Sequence, residues 1–309
     1  MKTARTLGVA ALALAAAACD ERAPAGPQEV RVHAASPARF DPPVGFTKLR
    51  LSSTPHLDPA GLEKAMAPLA DYLSRGLNVP VEVTVATSYD ELGQRLARNE
   101  VDLAQFTPYS YVRARKTTSL QPIAAVIADG SASAAGYIVV KADSSVQRLE
   151  DLKGRSFGFV DPASTSGYLY PLKLMRDRGI DPATFFSRTE FLGHHDAALL
   201  AVYEGRVDAT ASYQGALVAL WKSQRIDPLS FRIIAKTPRT PRDIYCAREG
   251  LPAEVVRQVR ALLLGLSVRT AEGRATLHPL DFNGFVPVDE RAYDAVREVQ
   301  ALLADGGSP

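Results

Sequence analysis

The chain has 309 residues, 36 Lys and Arg against 34 Asp and Glu, and a hydrophobic share of 46%. That length exceeds one typical domain and suits two, and the apolar content supports a large core, which excludes a disordered chain. The near-balance of charge leaves no global field for nucleic acid or an acidic membrane surface. The two cysteines, Cys19 and Cys246, exclude zinc sites of the Cys-rich kind.

Lys2 and Arg5 make a basic start, and residues 7–18 form an apolar run too short for an ordinary spanning helix. The run ends in Ala16-Ala17-Ala18-Cys19. This resembles a bacterial lipoprotein signal, in which the cysteine is lipidated and becomes the first residue, although Ala16 stands where such signals usually carry Leu. The other reading is cleavage at an Ala-x-Ala site, leaving a soluble periplasmic protein. Asp20 resembles the residue that retains enterobacterial lipoproteins at the inner membrane, and the resemblance implies that leaflet. Loss of residues 1–18 removes Lys2 and Arg5 and leaves basic and acidic side chains equal in number. Cys246 is then the one thiol besides Cys19, so no internal disulfide is expected. Residues 21–43 hold five prolines and few large apolar side chains, and residues 19–46 read as a tether.

Folded structure is expected from Thr47. Strands are predicted over 48–53, 80–85, 101–106 and 120–128, with helices over 59–74, 88–98 and 109–115 between them. Ser88, with Glu91 three residues on, predicts a capped start for the second helix. The pattern restarts with strands at 136–141, 156–160, 189–192, 207–212 and 231–235. Between these lie helices at 149–154, 168–178, 196–204 and 215–223. Residues 237–242 read as a rigid connector, 244–247 as a strand returning to the first lobe, and 252–268 and 289–303 as amphipathic helices. Alternating strands and helices predict parallel βαβ units. The expected architecture is α/β with two lobes, 47–136 plus 241–309 and 137–240, joined by two connections. Ligands of such sheets sit at the carboxyl ends of the strands, and two facing lobes make a cleft that can close by hinge motion.

The polar clusters all follow predicted strands: Thr54-Pro55-His56, Thr107-Pro108-Tyr109-Ser110-Tyr111, Ser164-Thr165-Ser166, Gly193-His194-His195-Asp196 and Tyr213-Gln214. The third is a hydroxyl-rich turn opening a helix, where unpaired N–H groups and a partial positive charge suit an anion. Gly167 would let a ligand approach the backbone. The plainer reading is an ordinary N-cap on Ser164 or Thr165. Likewise His195 is either a cleft donor or a packed histidine, and His56 either lines the cleft or does not. Ser164, His195 and Asp208 could be imagined as a triad, but no Gly-x-Ser-x-Gly elbow is present and no enzyme is expected.

Val-Asp-Pro-Ala-Ser-Thr-Ser-Gly-Tyr (160–168), Gly-His-His-Asp-Ala-Ala-Leu (193–199) and Gly-Arg-Val-Asp-Ala (205–209) resemble the phosphate/phosphite/phosphonate-binding protein family of ABC importers. So do residues 102–112 and 151–157, and the resemblance runs over residues 47–290. It implies a two-lobed periplasmic binding protein that needs no cofactor, has no catalytic role, and delivers a small oxyanion to an inner-membrane permease. It implies a phenolic donor at Tyr109, oxyanion donors at Ser164 and Thr165 with Ser166 as a third, and an imidazole donor at His195. Asp243 resembles an acid near the family's cleft; it meets a P–OH proton or caps a turn. The phosphonate branch has a carboxylate for the ligand's amine shortly after its Val-Asp-Ala segment, and residues 209–215 hold none. An aminoalkylphosphonate is therefore disfavoured. The rival reading is a periplasmic oxyanion sensor reporting to a histidine kinase; an arsenite sensor would need a cleft thiol, for which Cys246 is the candidate.

Overall fold

In the computed structural model, which describes residues 40–304, the chain builds two mixed sheets in succession. The elements in order are β1 (Leu49–Ser53), α1 (Pro59–Leu77), β2 (Val81–Val85), α2 (Tyr89–Ala97), β3 (Leu103–Phe106), α3 (Pro108–Ala114) and β4 (Leu120–Ile127). Then come β5 (Ser133–Lys141), β6 (Ser156–Phe159), α4 (Tyr170–Arg176), α5 (Pro182–Phe185), β7 (Arg188–Phe191), α6 (His195–Tyr203), β8 (Ala209–Tyr213), α7 (Gln214–Gln224) and β9 (Phe231–Pro241). The chain ends with β10 (Ile244–Arg248), α8 (Ala253–Gly265), α9 (Ala271–Leu277), β11 (Gly284–Val286) and α10 (Asp294–Ala304). The expected signal segment, the Cys19 lipidation site and nearly all of the expected tether lie outside the described residues.

The first sheet runs β11-β4-β10-β3-β1-β2 and the second β7-β6-β8-β5-β9, one to each lobe. The βαβ units pair in parallel, as β1 with β2 and β3, and β6 with β7 and β8. The returning strands β10 and β11, and the β5–β9 pair, are antiparallel, so both sheets are mixed rather than purely parallel.

Local chemistry sets the boundaries. Asp58 accepts from the Gly61 N–H and Pro59 occupies the first turn of α1, while Asn78 in the left-handed region ends it. That helix runs past the expected stop at 74 because Leu77 completes the buried stripe of Leu62, Met66, Leu69 and Leu73. Ser88 accepts from the Glu91 N–H, and Glu91 takes the Thr87 N–H in return, a box one residue displaced from the usual pairing.

The connector expected at 237–242 is strand instead. β9 continues to Pro241 and pairs with the whole of β5, from Lys141↔Phe231 to Ser133↔Pro241. It tolerates Pro238 and Pro241 because it is the edge of its sheet, where an absent N–H costs no ladder bond. The helix expected at 289–303 as part of the first lobe packs against residues of both lobes. Val296 and Val299 of α10 share one apolar cluster with Tyr111 and Tyr293, but also with Leu169 and Tyr170 of the second lobe. Arg176 donates to the Leu302 carbonyl as well.

Just before β3, an interior strand of the first sheet, Asp102 is buried and receives three bonds from Arg50, through its N–H, Nε and Nη2, and one from Arg248 Nε at 2.8 Å. It thereby ties β1 and β10 to the start of β3.

Candidate functional site

Five segments at strand ends meet between the lobes around a cavity of about 720 Å³. His56, Ser164, Thr165, Ser166, His195 and Asp243 line it, all of them expected from the sequence. Tyr213, at the end of β8, lines it too.

The turn after β6 is built tightly. Ser164 caps a single π-turn, Thr165–Leu169, that leads into α4, and its Oγ accepts from the Gly167 N–H at 3.1 Å. Gly167 does not serve ligand approach as expected. A Cβ there would lie 2.5 Å from the Val160 side chain and 2.8 Å from Ser164 Oγ, so the glycine lets the turn press against the end of β6. Gly167→Ala should destabilise the protein by about 1–3 kcal/mol through overpacking; a melting point unchanged from wild type would refute this packing role.

The hydroxyls of the turn have their acceptor sides occupied. Thr165 Oγ1 accepts from the Tyr109 N–H of the facing lobe at 2.8 Å, and Ser166 Oγ pairs with His195 Nε2 at 3.3 Å. A hydroxyl that already accepts still has its proton to give, so Ser164 and Thr165 each keep an O–H for a ligand.

His195 opens α6 and is buried. Burial, with the nearby charge of His56, pushes its pKa down to about 3, so the ring is neutral and carries one N–H. Nδ1 pairs with Ser212 Oγ at 3.2 Å, away from the cavity, which leaves Nε2 on the Ser166 side. The Tyr213 ring meets the imidazole edge-on with centroids 4.8 Å apart. His194 caps α6 and pairs with Asp196, whose other oxygen accepts the Asp58 N–H across the cleft. The His195 backbone N–H donates to the His56 carbonyl, and this bond joins those of Thr165 and Asp196 in latching the lobes together.

Asp243 stands across the cavity between β9 and β10. Its Oδ2 accepts from Gln105 Nε2 at 2.9 Å, and Gln105 Oε1 accepts from the Tyr245 hydroxyl. Burial lifts the carboxyl above its ordinary value, with His56 and the Gln105 bond opposing. Lys64, Lys222 and Arg242 also line the cavity: Arg242 is paired with Asp129, Lys222 with Asp281, and Lys64 is exposed.

Tyr109 departs from the expected role. It is buried but not among the lining residues; its ring lies under the Arg113 guanidinium, 5.6 Å from the centroid, and Arg113 is held by Asp90. What Tyr109 brings to the cleft is its backbone N–H. Tyr213 is better placed, on the cavity wall, and burial raises its phenol pKa far out of the neutral range. Tyr89 is fully buried beside Ser164 and, like Tyr109, is not among the lining residues. Sequence reading took Ser88-Tyr89 only as a helix start.

Asp208 binds the Ser156 N–H and hydroxyl and pairs with Arg155, far from any triad with Ser164. Cys246 is fully buried in β10 and does not line the cavity, and burial pushes its thiol well above the usual range. Among the described residues no group of three His, Cys, Asp or Glu side chains could hold a metal ion, and no helix is long and apolar enough to cross a membrane.

Two lobes latched over a cavity lined by a turn of hydroxyl donors define a ligand-binding protein of the two-lobed periplasmic type. Residues 51–293 match the family described as "ABC transporter, phosphonate, periplasmic substrate-binding protein", and the chain belongs to that family. It is 26% identical over 283 residues to the "Phosphate-import protein PhnD" of Mycolicibacterium smegmatis, covering 82% of this chain and 86% of the relative. It is 29% identical over 259 residues to the "Phosphonates-binding periplasmic protein" of Escherichia coli, covering 80% of this chain and 75% of the relative. A binding-protein component of an ABC phosphonate transporter from Pseudomonas aeruginosa shares the fold, with a TM-score of 0.77, 23% identity and coverage of 83% and 86%. The family's proteins are extracytoplasmic substrate-binding components.

Proposed function

We propose that this protein is the binding component of an ABC importer and closes its lobes on a small phosphorus oxyanion: phosphate, phosphite or a phosphonate. The observation that carries the reading is the set of donors with nothing left to donate to. Ser164 and Thr165 already accept from backbone N–H groups and line the cavity, so each has a proton to give there. A buried donor left unpaired costs about 1–3 kcal/mol, and an oxyanion seated on the turn supplies the acceptor. Neutral His195 adds an N–H without adding charge. The names of the relatives in M. smegmatis and E. coli, which import phosphate and bind phosphonates, fit the same ligand chemistry. The proposed partner is an inner-membrane ABC permease, with the chain held at the membrane through lipid on Cys19. The rival of an arsenic sensor holding arsenite by sulfur has no support here, since Cys246 is sealed in the core.

Asp243 gives the proposal a pH signature. A carboxyl already lifted by burial, placed against an oxyanion, shares one proton with it, on the carboxyl or as P–OH. Once both free partners are ionised, each pH unit must then weaken binding up to about tenfold. For a phosphate monoester, whose second pKa is about 6, wild-type affinity should fall between about pH 7 and pH 9. Asp243→Asn, which offers an N–H to the dianion, should flatten that fall to within about threefold. Calorimetric titration across this range checks it; equal slopes in the two proteins would remove Asp243 from the site.

A further inference from the structure

The cavity is much larger than a bare oxyanion. A tetrahedral anion of five heavy atoms displaces roughly the volume of two or three waters, ~60–90 Å³, and a benzene-sized group fills a cavity of ~150 Å³; the space between the lobes is about 720 Å³. The hydroxyl turn and His195 lie on one side of it and Asp243 across from them. The remaining lining combines Leu57, Leu62 and Ala65 of one lobe, Val218 and Ala219 on α7 of the other, and Leu280, with Lys64, Gln214 and Asn283 as polar neighbours. Its rim includes the exposed Lys222, Ser223 and His278. Of the carboxylates that line the cavity, Asp129, Asp196 and Asp281 are paired with Arg242, His194 and Lys222, while Asp58 and Asp243 take bonds from neutral donors. The apolar side chains of α1 and α7 give nothing to a substituent that must stay solvated.

We infer that the ligand is a monosubstituted oxyanion, a phosphonate or phosphate monoester, whose substituent is uncharged, apolar and at least the size of an aromatic ring, lying against α1 and α7. This rests on the oxyanion reading above and narrows it. Filling the outer chamber expels loosely held water from an apolar wall, which favours the larger substituent. A methyl group or a bare hydroxyl leaves that wall untouched.

The test titrates the whole protein with phosphate, methylphosphonate, 2-aminoethylphosphonate and phenylphosphonate. Phenylphosphonate should bind at least tenfold more tightly than methylphosphonate or 2-aminoethylphosphonate. Ala219→Trp, which fills the chamber from α7, should bring the phenyl-to-methyl ratio back to within about threefold of one. If that variant does not fold, Leu280→Trp fills the chamber from the rim and should do the same. Tighter binding of phosphate or methylphosphonate than of phenylphosphonate would overturn the inference while leaving the oxyanion reading intact. A phenyl preference untouched by both tryptophans would overturn the placement of the substituent. Binding of none of the four would sink the oxyanion reading itself.

Discussion

His195→Ala should weaken oxyanion binding by about 10- to 100-fold. A hydrogen bond to a charged group contributes about 1.5–3 kcal/mol, and each 1.4 kcal/mol is a factor of ten in affinity. The ring is neutral because burial holds its pKa near 3, so the loss is that of one N–H donor and not of a cation. It should therefore persist with little change between low and moderate salt, where screening would erase a surface ion pair. The substitution also strips Ser212 Oγ and Ser166 Oγ of a partner, and Ser212 is fully buried. Some stability will be lost with the affinity. His195→Gln separates the two effects, since an amide N–H can restore part of the donor function. Calorimetry with the preferred oxyanion checks this; affinity within threefold of wild type in His195→Ala would place the histidine outside the binding surface.

Asp102→Ala should do the opposite: destabilise the fold by about 3 kcal/mol and leave ligand affinity unchanged. Removing one partner of a buried ion pair costs about 3–5 kcal/mol because the other charge is left uncompensated. The lower end applies because Arg50 and Arg248 keep some contact with solvent, at 32% and 18% side-chain exposure. The Arg50 N–H loses its acceptor as well. For a protein of this size the melting point should fall by about 6–12 °C. Burial alone would raise the Asp102 pKa, but the Arg50 and Arg248 bonds outweigh it and hold it below the ordinary carboxylate range. Its contribution is thus complete above the unfolded value of about 3.9 and fades as pH falls through the lower folded one. Wild type and variant should converge in stability as acid is added. A melting point within 2 °C of wild type at neutral pH would contradict the tie between β1, β3 and β10.

The features readable in the chain were those set by local chemistry. Alternating apolar strands, the Ser88 and Asp58 helix starts, and the hydroxyl turn at 164–166 follow from neighbours a few residues away, and these neighbours are in the same stretch of sequence. Short elements without periodicity were not readable. Gly284–Val286 is three residues long, and Ala271–Leu277 has a single turn's worth of buried side chains. β9 was cut short because Pro238 and Pro241 read as breakers, and only the sheet order shows that its far side has no partner to lose. Tyrosine assignment depended on side-chain direction. Tyr109 was drawn under Arg113 by a residue four places along its own helix, whereas Tyr89 reaches Ser164 through the docking of one lobe on the other, and Tyr213 meets His195 through the packing of α6 on β8 within the second lobe. No spacing in the chain encodes that.

The most direct test of the account is calorimetric titration of the protein with phosphate, phosphite, methylphosphonate and sulfate, repeated on Ser164→Ala. Saturable one-to-one binding of a phosphorus oxyanion is expected, with affinity about tenfold or more weaker in the variant, which loses an O–H donor. Binding of sulfate in preference to every phosphorus oxyanion, or binding unaffected by the loss of Ser164, would contradict it.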